Sequence, residues 1–267
     1  MTQRTGTTAT TRRFAATAVA LLAATLLAGC NDKDASPQAA PPPPDPKQEL
    51  LTAVPDDEDP AFRFITSDAS GDVSGVIDPT NRGMEMKIVG KEKDFTLEMS
   101  FRFVESRTWM KVRFKGDRDI QKLMKLPTTW MELDRTKVEG ADEMPTYEGT
   151  DPGNAEVIIR AATDVQAGED GTYTGVVDFS TEPELVEAMA GVAPLGDAAE
   201  PVPLTAVVGP DGNLTSLTLA IPALGKQKAS KYVVEYSDFG TAPEIVAFVG
   251  DEAKPAPKAA YDMLNNG

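Results

Sequence analysis

The chain has 267 residues, 41% of them hydrophobic, with 42 acidic and 26 basic side chains, a formal charge of −16, one cysteine and no histidine. Without histidine no side chain has an unperturbed pKa near neutrality, which removes the usual general base, the imidazole metal ligand and the usual triad partner. The single cysteine, Cys30, cannot supply a disulfide, a cysteine zinc site or an iron–sulfur cluster, and there is no Gly-x-Ser-x-Gly, Ser-x-x-Lys, P-loop or Gly-x-Gly-x-x-Gly motif to offer another chemistry.

Arg4, Arg12 and Arg13, with no acid among them, precede an Ala/Val/Leu/Thr stretch from Phe14 to Ala28, the n-region and h-region of a secretory signal. Its about 15 apolar residues fall short of the roughly 20 that span a bilayer. Leu27-Ala28-Gly29-Cys30 resembles the lipobox of bacterial lipoproteins. The resemblance implies removal of residues 1–29, a diacylglyceryl thioether on Cys30 and an acylated amine, hence a lipid anchor on the extracytoplasmic side of the cell membrane. Phe14 follows the Arg12-Arg13 pair one position too early for the Tat motif, which favours Sec export. Loss of the three leader arginines leaves 23 cations against 42 acids, or −19. Such a surface repels nucleic acid and anionic headgroups, so membrane residence is expected to come from the acyl chains.

Residues 30–46, with Pro41-Pro42-Pro43-Pro44-Asp45-Pro46 at their end, cannot form a core and favour polyproline II. At roughly 3 Å per residue this linker reaches about 50 Å from the bilayer. The folded domain is expected over 47–250 and a polar, flexible, Pro-rich tail over 251–267. Pro46 to Val54 reads as a short amphipathic helix that Pro55 ends. The run Asp56-Asp57-Glu58-Asp59 lacks EF-hand spacing and reads as a solvated charge cluster.

Strands are expected at Phe62–Ser67, Gly71–Ile77, Met84–Val89, Phe95–Val104 and Arg107–Lys115, with turn residues between them. Short turns make hairpin neighbours, hence an antiparallel meander. Phe95, Leu97, Met99, Phe101 and Phe103 alternate with polar residues, as do Met84, Met86 and Ile88, and Met110, Val112 and Phe114, so one sheet face is apolar and the other wet. Asp117 caps a helix through Met124, and Trp130–Asp134 is a strand. Asn154–Val165 places Val157, Ile158, Ala161, Ala162 and Val165 on one side of a helix. Tyr173–Phe179 is a strand, and Ser180-Thr181-Glu182 caps a helix carrying Leu185, Val186 and Met189 to Gly191. Strands Val202–Val208, Leu214–Ile221 and Tyr232–Ser237 close the domain.

That last segment carries a resemblance. Pro201-Val202-Pro203-Leu204-Thr205-Ala206-Val207-Val208-Gly209-Pro210-Asp211-Gly212-Asn213-Leu214, then Leu217-Thr218-Leu219, then Val233-Val234-Glu235-Tyr236-Ser237-Asp238-Phe239-Gly240 is similar to the C-terminal signature of the LppX/LprAFG lipoproteins, of the LolA-like superfamily. Element order matches over most of 48–249, residue pattern only over the last 45 or so. The resemblance implies an α+β fold: a strongly bent antiparallel β half-barrel with helices packed on its concave face and an apolar cavity between the layers. It also implies a non-enzymatic carrier that binds lipid or glycolipid acyl chains, and it brings no catalytic motif.

The candidate cavity residues are Met84, Met86, Ile88, Phe95, Leu97, Met99, Phe101, Phe103, Met110, Val112, Phe114, Val157, Ala161, Leu185 and Met189, with Cys30 as the lipid attachment. Met84, Met86, Met99 and Met110 adapt to a mobile chain better than branched residues do, and Gly75, Gly175, Ala161, Ala162, Ala188 and Ala190 leave room between sheet and helices. A filled core has the same alternation, so a structural or interaction lipoprotein of this fold is the alternative. Arg102, Arg107 and Arg160 are candidates for a headgroup phosphate. No cofactor, metal or nucleic-acid partner is expected. Carboxylate pairs are too common by chance among 42 acids to indicate a glycosidase.

Overall fold

The computed structural model describes residues 45–91, 93–116, 118–139, 147, 149–179, 185, 201–223 and 228–265. The leader, Cys30, most of the linker, and all of the expected helix after Ser180 except Leu185 lie outside the described residues. At its start Asp45 accepts a hydrogen bond from Lys47 N at 3.0 Å and Pro46 occupies the first turn, so helix α1 (Pro46–Thr52) begins with its orphan donors satisfied. Leu50 is fully buried, and Ala53 O accepts from Leu214 N at 2.7 Å, fastening the helix end to the sheet.

The sheet has twelve strands: β1 (Phe62–Ser67), β2 (Asp72–Asp78), β3 (Gly83–Lys91), β4 (Thr96–Val104), β5 (Arg107–Lys115), β6 (Trp130–Leu133), β7 (Ala162–Ala167), β8 (Thr172–Val177), β9 (Val202–Val208), β10 (Leu214–Ile221), β11 (Ser230–Ser237) and β12 (Ala253–Pro255). Their order is β12-β6-β5-β4-β3-β2-β1-β11-β10-β9-β8-β7. Two meanders, β1–β6 and β7–β11, are thus joined where β1 pairs with β11, Phe64 opposite Tyr236. Every pairing is antiparallel except β12 with β6. With helices α2 (Arg118–Leu123), α3 (Ala155–Ala161) and α4 (Lys258–Asn265) the fold is mixed α+β, contained in one compact unit of residues 43–267.

Three expectations are corrected. The helix expected over 154–165 ends at Ala161, and 162–167 forms the edge strand β7. The β-branched Thr163 and Val165 suit a strand, and Asp164, at φ +53°, breaks the register with β8 between Thr163 and Gln166. The polar tail expected over 251–267 instead adds β12 and α4, whose Ala260 and Tyr261 are buried. The Tyr261 hydroxyl accepts from Asp134 N at 3.0 Å, and Asn265 Oδ1 accepts from Glu139 N at 2.9 Å.

The wet sheet face is also less wet than expected. Val76, Val104, Trp109 and Ile245 form a second buried cluster there, under a strap from Thr241 to Val249 that adds Ala242, Ala247 and Phe248. Asp78, only 2% exposed, holds the strap by accepting from Ile245 N at 2.8 Å and from the Asn81 side chain at 2.7 Å. Arg102 completes the seam, donating to Val246 O at 3.2 Å and to Glu85, with its guanidinium 4.2 Å from the Phe248 ring centre.

Candidate functional site

Strand register groups the candidate residues of the helix-covered face into rows across β2–β5. Ile77, Met84, Phe103 and Thr108 form the first row, and Gly75, Met86, Phe101 and Met110 the second. Val73, Ile88, Met99 and Val112 form the third, and Gly90, Leu97 and Phe114 the fourth. Exposure rises along this series. The first row is wholly buried, while in the third Val73, Ile88 and Met99 are half-buried and in the fourth Leu97 and Phe114 are half-buried with Gly90 exposed. Phe95 follows at the strand end, its ring 5.8 Å from that of Phe114. Burial of the apolar face therefore falls from the first row to the fourth, although Val112 in the third row is fully buried and Leu97 and Phe114 still pack against the core.

The loop and helices packed on this side are fastened to the sheet by interlocking parts. Tyr236 donates to Asp151, and Asp151 also accepts from Glu156 N at 2.7 Å, which starts α3. The Tyr232 hydroxyl donates to Gly153 O at 2.9 Å, and Thr150 Oγ1 donates to Pro55 O at 2.7 Å. A Cβ on Gly153 would lie 2.5 Å from Val234 Cγ1, so only glycine lets this loop reach the sheet. Lys47 Nζ donates to Arg160 O at 2.6 Å and to Ala162 O at 2.9 Å, putting a cation on the C-terminal carbonyls of α3. Burial and the Asp151 carboxylate push the Tyr236 hydroxyl well above its usual pKa; burial does the same to Tyr232.

Of the remaining candidates, Ala161 and Leu185 are buried in the same cluster as the rows and Val157 packs half-buried against it. Met189 and Cys30 lie outside the described residues. The small residues do not leave the room expected of them. A Cβ on Gly75 would come within 2.5 Å of the Phe64 ring, and one on Gly175 within 3.3 Å of Val165, so neighbours already fill these positions. Ala188 and Ala190 are outside the described residues.

The three arginines are not aimed at the apolar face. Arg102 stands on the opposite sheet face bound to Glu85, Arg107 pairs with Glu132 at 2.9 Å and stacks 4.6 Å from the Trp109 ring centre, and Arg160 pairs with Glu156 one helical turn away. The sequence offered these positions as free cations because it carried no information on which carboxylate each would meet. Among the described residues no group of three acidic, histidine or cysteine side chains is placed to hold a metal ion, and no helix is long and apolar enough to cross a membrane.

Fold and site define an α+β protein built on one twelve-stranded, mostly antiparallel sheet with an apolar face whose burial falls from its first row to its fourth. No protein-family model and no curated protein matches the chain.

Proposed function

We propose that the protein is an acyl-anchored lipoprotein of the cell envelope, held by Cys30 on the extracytoplasmic side of the membrane. It binds lipid or glycolipid acyl chains along the apolar face of β2–β5 and carries or presents them, without enzymatic chemistry. The sheet is taken to curve as a LolA-like half-barrel around this face. The observation that carries the reading is the fall in burial from the Ile77–Met84–Phe103 row to the half-buried Leu97–Phe114 row, which supports an apolar trough accessible from that end. Met86, Met99 and Met110 lie along it on adjacent strands, supplying deformable walls. Transfer of each methylene out of water contributes about 0.8 kcal/mol, so one long chain suffices for micromolar affinity after ordering costs.

The filling of Gly75 by Phe64 favours a second reading, a structural or interaction lipoprotein whose sheet face is packed throughout. Native mass spectrometry of the domain purified from its own envelope separates the two. The carrier reading expects a lipid adduct that organic extraction removes; a clean apo mass, with no uptake of a fluorescent fatty acid, supports the packed alternative.

A further inference from the structure

Charge is distributed unevenly over the sheet. The chain as a whole is at −16, yet residues 83–115, which hold β3–β5, carry eight cations against five acids. Register places Lys87 beside Ser100 and Lys111, and Glu98 beside Arg113, on the face opposite the trough. On this face Glu85 is engaged with Arg102, Glu98 with Lys115 and Glu132 with Arg107, while Asp72 of the neighbouring β2 is exposed. Lys87, Lys91 and Arg113 are exposed and make no ion pair among the described residues. Lys111 lies 4.3 Å from the Trp130 ring centre, and its pKa is held below the usual lysine value first by burial and then by Arg113. A depression of about 450 Å³, lined by Ser70, Asp72, Ser74, Lys87 and Lys91 among others, opens onto the same face beside the exposed Ile65.

We propose that this basic face of β3–β5 docks the domain on the phosphate headgroups of an anionic bilayer. The patch adjoins the β3–β4 end of the sheet, near Leu97, Phe114 and Phe95, which lie on the opposite face. A bilayer matches cations and exposed apolar residues side by side, whereas a nucleic acid matches only the cations. Screening confines the attraction to about 8–10 Å, inside which the patch rather than the net charge decides the sign. Acidic residues elsewhere orient the molecule patch-first. The proposal goes beyond acyl-chain binding and does not depend on it.

The test is flotation of residues 43–267, without the acyl anchor, on vesicles of phosphatidylcholine with increasing phosphatidylglycerol. Each surface cation near an anionic membrane changes partitioning about fivefold, so the combined variant Lys87→Gln, Lys91→Gln, Arg113→Gln is expected to lose about 100-fold. The control variant Lys228→Gln, Lys231→Gln, Lys254→Gln, altered in other strands and loops, is expected to stay within about threefold. Raising salt from about 50 to about 500 mM should abolish wild-type binding. Absence of binding to phosphatidylglycerol vesicles, or equal losses in the two variants, overturns the proposal. Fatty-acid uptake measured on the same samples reports separately on the trough.

Discussion

Asp78 is a buried tie between the sheet and the strap that covers its outer face. It is 2% exposed and its carboxylate takes Ile245 N at 2.8 Å, Asn81 Nδ2 at 2.7 Å and Asn81 N at 3.2 Å. Asp78→Ala removes both acceptor oxygens and with them all three bonds. The Ile245 N–H is buried and loses its partner outright, at a cost of about 1–3 kcal/mol, while the two Asn81 donors are part-buried and regain water, adding about 1 kcal/mol. The sum, about 3 kcal/mol, corresponds to a Tm lowered by about 6–12 °C for a domain of this size. Both tryptophans of the chain, Trp109 and Trp130, lie against Phe248 of the strap, so their emission reports whether it stays closed. The variant is expected to unfold earlier by circular dichroism and to emit at longer wavelength before the main transition. Asn81→Ala, which removes the shortest of the three bonds but leaves Ile245 paired, is expected to lose about 1 kcal/mol with unshifted emission. An Asp78→Ala protein within 0.5 kcal/mol of wild type and unchanged in emission would refute the strap's attachment.

Alkaline pH should unfold the domain through its tyrosines. Burial and Asp57 push Tyr147 up to about 12, and Tyr173, Tyr232 and Tyr236 are also raised. The unfolded chain releases these protons near pH 10 while the folded one retains them, so stability is intact below pH 10 and declines as pH rises towards 12 and beyond. Phenolate absorbance and loss of circular dichroism are expected together above pH 10; full ionisation of these tyrosines near pH 10 in a still-folded protein would contradict it. Deleting residues 257–267 removes α4 with its buried Ala260 and Tyr261 and is expected to destabilise by at least about 3 kcal/mol in urea unfolding. A truncated protein as stable as wild type would restore the flexible tail.

Much of the fold is legible in the chain because period-two alternation and turn chemistry are local. Phe95 to Phe103 announces β4 and the apolar face, and Gly209-Pro210-Asp211-Gly212-Asn213 announces the β9–β10 turn. What local pattern cannot carry is the partner across space. Trp109 stands where alternation calls for a polar residue, and only the strap 132 or more positions later explains it. Ala253–Pro255 has the Lys and Pro content of a linker, yet three residues suffice for an edge strand on β6 once α4 is docked behind it. The change from helix to strand at Ala162 is set by pairing with Val177, to which helical spacing in the sequence is blind. At the site, sequence showed which residues are apolar but not that their burial declines along the strands, because exposure depends on what covers each row.

In the proposed carrier the half-buried third and fourth rows receive an acyl chain. Titrating a fluorescent long-chain fatty acid into residues 43–267 and into a Leu97→Glu variant tests it most directly, because Leu97 is half-buried near the open end and tolerates a charge better than a core position does. The wild type is expected to bind with a Kd of about 1 μM and the variant at least about tenfold more weakly, with an unchanged Tm. Equal affinity of the two proteins, or no binding by either, would contradict the account.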